Sequence, residues 1–138
     1  MGYTQYWNGP IDIDDALKAD VRRIFKYSAG QGIIIRGGDG TGEPVITNDV
    51  ISFNGDALEN NDYETALFTN DGKWGFCKTA ERPYDLTVSL VLLRIYSLNK
   101  DKGFTFDSDW EWDKEWIPAR NAYKELFHED IDGAPFHR

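Results

Sequence analysis

The sequence predicts a single α+β domain, and three observations carry that expectation. Two segments of helical length, residues 13–25 and 84–98, are separated by several short strand-like runs rather than alternating with them one for one. Those runs are bounded by Gly, Pro, Asn and Asp, the residues that favour turns. The length of 138 residues, with 41% apolar content and five Trp, seven Tyr and eight Phe, suits one hydrophobic core.

The elements follow in order. Tyr3 to Trp7 alternates bulky and polar residues and reads as a first strand, closed by the turn Asn8-Gly9-Pro10. Asp12 is placed to cap a helix whose third residue is Asp15. Ile13, Ala16, Leu17, Val21, Ile24 and Phe25 then share one helical face, and Gly30 or Gly32 stops the helix. Ile33-Ile34-Ile35 reads as a short buried strand. Gly37 to Pro44 is glycine-rich, but a phosphate cradle must open a helix, and here Pro44 and the β-like Val45-Ile46 follow. That stretch is a hairpin loop.

Val50 to Phe53 is a strand ending at Asn54-Gly55-Asp56. Asp56 to Asp62 is a polar loop. Tyr63 to Thr69 and Lys73 to Lys78 read as two strands of one hairpin turned by Asn70-Asp71-Gly72. Pro83 suits the start of a helix over 84–98. Its Leu86, Val88, Leu90, Val91, Leu92, Leu93, Ile95 and Leu98 make it apolar on most faces, so it is expected to be the central buried helix. Gly103 ends the connection to a last strand at Phe104 to Phe106. A strand or turn continues to about Asp109, and a helix becomes regular near Pro118. Together these predict helices on one face of a mostly antiparallel sheet. The expected core is ferredoxin-like, β-α-β-β-α-β, with an added hairpin and a C-terminal helix. Residues 1–128 form the domain, and 129–138 a flexible tail.

Composition bounds the function. With 15 basic against 24 acidic residues, the net charge is −9. That disfavours a surface that binds nucleic acid by neutralising phosphates, and favours solubility and a partner with a basic surface. No run of about 18 apolar residues offers a membrane span. The first residues lack a basic stretch followed by an apolar one, and Tyr6 does not fit a myristoylation signal. The single cysteine, Cys77, fits a reducing compartment, so a cytoplasmic location is expected.

Two constellations stand out. In Phe76-Cys77-Lys78-Thr79-Ala80-Glu81-Arg82-Pro83-Tyr84-Asp85, a thiol, an ammonium, a hydroxyl, a phenol and a carboxylate lie where a strand meets the apolar helix. Cys77 needs a base to become a nucleophile, and the only histidines, His128 and His137, are near the C-terminus. No catalytic residue is therefore assigned. Gln5, Asn54, Lys78, Thr79, Tyr84 and Asp85 are instead candidates for lining a small-ligand pocket, because each sits at a strand end or helix start. In the second constellation, Asp107, Asp109, Glu111, Asp113 and Glu115 recur with a period of two around Trp110 and Trp112. An EF-hand starting at Asp107 would need Gly at 112 and Glu at 118, where the chain has Trp112 and Pro118, so no metal site is read there. These residues are candidates for a partner surface on which tryptophans anchor and carboxylates complement a basic protein. No cofactor is expected.

Tyr3-Thr4-Gln5-Tyr6-Trp7, Gly40-Thr41-Gly42-Glu43-Pro44, Phe53-Asn54-Gly55, Phe76-Cys77-Lys78-Thr79, Pro83-Tyr84-Asp85 and the late Ser108-Asp109 are together similar to a family of small proteins from bacterial genomes and phages. The resemblance spans nearly the whole chain and implies no particular activity. Its first motif often carries His where this chain has Gln5, which argues against a general base there. The expectation is a small acidic cytosolic binding protein. A phage or mobile-element accessory factor that inhibits a host defence protein would fit that description. The alternative is a small-ligand-binding domain or minor enzyme around residues 76–85.

Overall fold

A computed structural model describes residues 4–131 and 133–136. The elements run β1 (Thr4–Asn8), α1 (Asp15–Gly30), β2 (Val45–Ile46), β3 (Val50–Phe53), β4 (Ala66–Thr69), β5 (Gly75–Lys78), α2 (Asp85–Asn99), β6 (Thr105–Ser108) and α3 (Ile117–Phe127). The α+β class stands. Tyr3, expected to begin the first strand, lies outside the described residues, as does His137.

Helix α1 starts later than Asp12. Ile11 and Ile13 are both buried, so the chain stays extended to insert both before it turns. Asp14 is then the cap, its carboxylate accepting the Leu17 N–H at 2.9 Å. Asp12 instead pairs with Lys102 at 3.0 Å. Leu17, Val21, Ile24 and Ser28, spaced four, three and four, form the buried stripe of α1. Helix α2 is buried continuously from Thr87 to Leu93, as a sequence apolar on most faces requires, while Leu98 near its end is exposed. Helix α3 begins with Ile117-Pro118, where a missing N–H costs nothing, and closes with His128 in the left-handed conformation.

The strands form two antiparallel three-stranded sheets, ordered β5-β1-β6 and β2-β3-β4. The ferredoxin-like arrangement expected above is not shown by this order. The difference arises at the hairpin expected over residues 63–78. Asn70-Asp71-Gly72 does turn the chain: Asp71 accepts bonds from Thr69 Oγ1 at 2.7 Å and the Lys73 N–H at 3.0 Å. Yet β4 pairs with β3, and β5 pairs with β1. Between the two arms one backbone bond is made, from the Glu64 N–H to the Lys78 carbonyl at 3.2 Å. The Trp7 indole occupies this junction. It stacks on Phe68 at 4.4 Å between centroids, and a Cβ on Gly75 would lie 2.5 Å from Trp7 Nε1. Only glycine lets the strand cross the ring there.

Ile33-Ile34-Ile35 is not a buried strand. Ile34 is exposed, its neighbours are half-buried, and the only pairing nearby is the isolated bridge of Arg36 with Asn54. A run of branched apolar residues favours strand only where a partner edge is available. Here β3 is already paired on both sides by β2 and β4.

One core joins these parts. Trp7, Phe53, Phe68, α2, Phe104, Phe106, Trp112, Trp116 and Tyr123 are all buried within it. Ser28 Oγ and Thr87 Oγ1, 2.6 Å apart, tie α1 to α2. Arg94 of α2 ties all three helices. It donates to Asp20 of α1 at 2.7 Å, to the Tyr123 hydroxyl of α3 at 3.0 Å and to Glu129 at 3.0 Å, and it lies 4.3 Å above the Phe127 ring. In the segment expected to be a tail, Glu129 joins this network and Phe136 is buried against Phe106, Trp112 and Trp116.

Replacing Arg94 by Met keeps the side chain's bulk but leaves Asp20 without its partner in a partly dry site. We expect a loss of about 2–3 kcal/mol of stability. Urea unfolding of the variant measures it, and a loss below 0.5 kcal/mol would show the network to be ornamental.

Candidate functional site

The pairing register of β1 sets two rows of side chains on opposite faces of its sheet. Gln5 lies opposite Cys77 on one side and Ser108 on the other, and this row points into the core. Tyr6 lies opposite Phe76 and Asp107, and this row points outward. Strand alternation alone requires that neighbouring residues of β1 serve opposite faces.

The inner row gathers most of the candidate ligand residues. Gln5, Thr79 and Tyr84 are fully buried, and Asp85 is 8% exposed. Thr79 Oγ1 donates to Asp85 Oδ1 at 2.5 Å. The Tyr84 hydroxyl donates to the Glu64 carbonyl at 2.6 Å and lies 4.0 Å from Cys77 Sγ. The Gln5 carboxamide faces Asp85 closely enough to favour its ionised form, yet neither of its polar atoms has a partner at good hydrogen-bonding geometry. Asn54 does not join this group. Its carboxamide accepts from the N–H groups of Gly55 and Tyr63 and donates to the carbonyls of Gly38 and Tyr63, so all four of its bonds brace the surrounding loops. Lys78 also stands apart, its ammonium 6.0 Å above the Tyr63 ring on the outer side.

A strained turn delivers Thr79 to Asp85. Ala80 and Glu81 hold φ of 51° and 59°, and the Arg82 N–H donates to the Thr79 carbonyl at 2.9 Å. Two consecutive left-handed residues closed by that bond make a type I′ turn without the Asn or Gly such turns prefer, at about 1–2 kcal/mol per residue. Sequence reasoning had no signal for it, because neither residue favours positive φ.

Burial dominates the electrostatics of this cluster. It pushes Asp85 up to about 7, against the lowering effect of the Thr79 and Gln5 side chains. It pushes the Cys77 thiol up to about 12 and raises the Tyr84 phenol as well. A thiol so held is protonated at neutral pH and is a poor nucleophile. A cavity of about 190 Å³ reaches Tyr84 from the side of Gly32, Ile33 and Pro83 and is not lined by Gln5, Cys77 or Asp85. Within the cluster Thr79 is spent on Asp85, and Tyr84 and Cys77 are spent on the Glu64 carbonyl.

The outer row is different in kind. Trp74 is 58% exposed and Phe76 is 49% exposed. Trp74 stacks on Tyr6 at 6.3 Å between centroids and touches Phe76 at 5.1 Å. Asp109 fixes Tyr6: one carboxylate oxygen accepts from the phenol at 3.2 Å and the other from the Thr4 N–H at 3.1 Å. Beside these rings runs an open groove of about 430 Å³ lined by Tyr6, Trp74, Thr105, Asp107 and Asp109 among others. A second cleft of about 390 Å³, lined by Leu67, Thr69, Gly75 and Phe76, adjoins it across Trp74. Tyr6, Trp74 and Phe76 were not selected from the sequence. The available signal was that β1 carries Tyr6 and Trp7 at successive positions, which must fall on opposite faces, and that Trp74 and Phe76 are two residues apart and so share one face.

The acidic segment needs correction. Asp107, Glu111, Asp113 and Glu115 are exposed and Asp109 is half-buried, but the tryptophans turn inward. Trp112 is 4% exposed, and Trp110 is half-buried against the core. The strand ends at Ser108, so the period of two dissolves before either ring. Trp116 is buried as well, its indole N–H donating to Ser108 Oγ at 2.9 Å. Asp113 is occupied by Arg120 at 2.8 Å, and Glu115 accepts the Glu111 N–H at 2.9 Å. The exposed tryptophan beside the acidic residues is Trp74, contributed by a different part of the chain.

Among the described residues, no group of three or more His, Cys, Asp and Glu side chains is placed to hold a metal ion. Among the same residues, no helix is long and apolar enough to cross a membrane. Comparison with protein-family models, curated proteins and solved structures finds no match.

Two outcomes follow from the buried cluster. The folded-state pKa of Asp85 lies above its unfolded value, so the folded protein binds this proton more tightly. The stability it contributes is complete below about pH 4 and is lost as the pH rises through about 7. Over that window Asp85 should contribute a decline of roughly 2–4 kcal/mol, and Asp85→Asn should remove this component. Urea unfolding between pH 4 and 8 tests this, and parallel profiles for the two proteins would refute it. Cys77 should react with a thiol reagent only as fast as the native protein opens. Rapid stoichiometric labelling of folded protein would contradict the sealed geometry.

Proposed function

We propose that this chain is a non-enzymatic binding protein that docks a basic segment of a partner protein on the outer face of sheet β5-β1-β6. One observation carries the reading: an exposed tryptophan, Trp74, stacks on Tyr6 beside a groove that also holds Asp107 and Asp109. Exposed tryptophan at a concave, partly charged surface is the usual makeup of a binding anchor. Glu111 and Glu115 continue the negative surface, and the net charge of −9 supplies a field that steers a basic partner toward it. A partner whose basic surface otherwise meets nucleic acid fits this chemistry, which is the accessory or inhibitory role expected from the sequence. A small-ligand or catalytic role at Gln5, Thr79, Tyr84 and Asp85 is the weaker reading. Those groups are buried, Thr79 is bonded to Asp85 and Tyr84 to the Glu64 carbonyl, and burial holds the neighbouring thiol protonated.

The test is binding kinetics with the basic protein that the wild-type chain captures. Asp107→Asn with Glu111→Gln should slow association and flatten its salt dependence, since exposed charges act through screened fields of about 8 Å range. Trp74→Ala should instead speed dissociation, by tenfold or more for a true anchor, a loss of about 1.4 kcal/mol. A partner whose rates ignore both changes would sink the assignment of this face.

A further inference from the structure

We infer that the Gln5 carboxamide is a two-way partner for Asp85: it accepts a hydrogen bond from the carboxyl while Asp85 is protonated, and turns over to donate one when the carboxylate forms. The junction of β1, β5 and α2 is then a proton-operated switch that changes state without coming apart. This holds independently of the binding face proposed above. Gln5 is fully buried, and neither end of its carboxamide has a partner at good hydrogen-bonding geometry. Leaving a buried carboxamide unbonded is costly, so the group it faces decides how it is satisfied. Its two neighbours across the ladder, Cys77 and Ser108, are engaged elsewhere. Cys77 Sγ donates to the Glu64 carbonyl at 3.4 Å, and Ser108 Oγ accepts from the Trp110 N–H at 3.0 Å and the Trp116 indole at 2.9 Å. The group that Gln5 faces is Asp85.

Asp85 Oδ1 accepts from Thr79 Oγ1 at 2.5 Å, which leaves Oδ2 to carry the proton or to meet the amide. A protonated Oδ2 donates and matches the amide oxygen, whereas a carboxylate only accepts and matches the amide N–H. The two ends of a carboxamide are nearly the same size, so a half-turn about its last side-chain bond exchanges them without moving β1. Glutamate at this position would add a second buried charge, and an apolar residue would serve neither state. Both states are reached near neutrality, because burial pushes Asp85 up to about 7. The charged neighbours favour the proton. Glu81, on the strained turn, adds to the upward push on Asp85. Cys77 and Tyr84 stay protonated beside it at neutral pH, and Glu64 adds to the upward push on both. Lys78 is turned outward over the Tyr63 ring. Among the described residues no cation, Arg82 included, is among the groups acting on Asp85.

The experiment is an NMR titration of the isotope-labelled full chain between pH 4 and 9. It follows the Asp85 carboxyl carbon and the Gln5 side-chain amide, each assigned through its own backbone. Both should move with one shared midpoint near neutrality. In Asp85→Asn the Gln5 amide should no longer respond to pH. In Gln5→Met the Asp85 midpoint should rise by about one pH unit, because the bond lost to the carboxylate is stronger than the bond lost to the neutral acid. An unmoved Trp116 indole resonance shows that each variant is folded. The wild-type titration decides by itself if a variant does not fold. A Gln5 amide that stays flat while Asp85 titrates, or that moves with a different midpoint, would overturn the inference. So would an amide response that survives Asp85→Asn, an Asp85 midpoint indifferent to Gln5→Met, or a carboxyl already ionised at the acid end of the range.

Discussion

Strand β1 is hydrogen-bonded along both edges, and its alternation decides the character of everything around it. Because adjacent residues must point to opposite faces, Gln5 and Trp7 are driven inward and Tyr6 outward. Trp7 then fills the junction between the sheets, where its ring meets Phe68 and Gly75. Gln5 sets the polar row with Cys77 and Ser108, and Ser108 in turn holds the Trp116 indole. Tyr6 seeds the outer aromatic wall. A slip of β1 by one residue against its neighbours would exchange its two faces, burying Tyr6 and exposing Gln5 and Trp7.

The interior carries an unusual burden for a domain of this size. A carboxylate, a thiol, a phenol, a hydroxyl and a carboxamide are buried together at the start of the most apolar helix. The Ala80-Glu81 turn adds backbone strain beside them. Such features cost stability, and the surrounding structure sustains them through the burial of α2 and the clamp formed by Arg94. The Thr79–Asp85 bond joins the end of β5 to the start of α2, and the Tyr84 hydroxyl ties that helix start to Glu64 ahead of β4. This is a way of specifying one geometry at a strand–helix junction, and it holds β5, the strand bearing Phe76, in place beneath the outer face.

At the surface, charge and aromatic area come from separate stretches of chain. The carboxylates of β6 and the following turns lie beside a tryptophan contributed by the β4–β5 connection. Their juxtaposition depends on β1 standing between β5 and β6, which brings residues 74–76 and 107–109 to either side of Tyr6. Inside the protein, Arg94 combines the Phe127 ring with Asp20, and Arg120 combines the Trp112 ring with Asp113, so ring faces and carboxylates also serve cohesion.

Local chemistry made much of this legible in advance. The stripe of α1, the apolar character of α2, the strands β1, β3 and β6, the proline-started α3 and the net negative charge all follow from spacing and residue type, which act over a few residues. Gathering Gln5, Thr79, Tyr84 and Asp85 was also foreseeable, because strand ends and helix starts meet there. What the sequence could not decide were matters of competition over long range. Whether β5 would pair with β4 or with β1 depended on Trp7 occupying the junction. Whether Ile33-Ile34-Ile35 became a strand depended on an edge that β2 and β4 had already filled. Whether Trp110 and Trp112 faced water depended on where β6 stopped and on the space between Phe106 and Phe136. Periodicity proposes faces, but only the packed core decides which aromatic rings it has room to bury and which, like Trp74, are left outside.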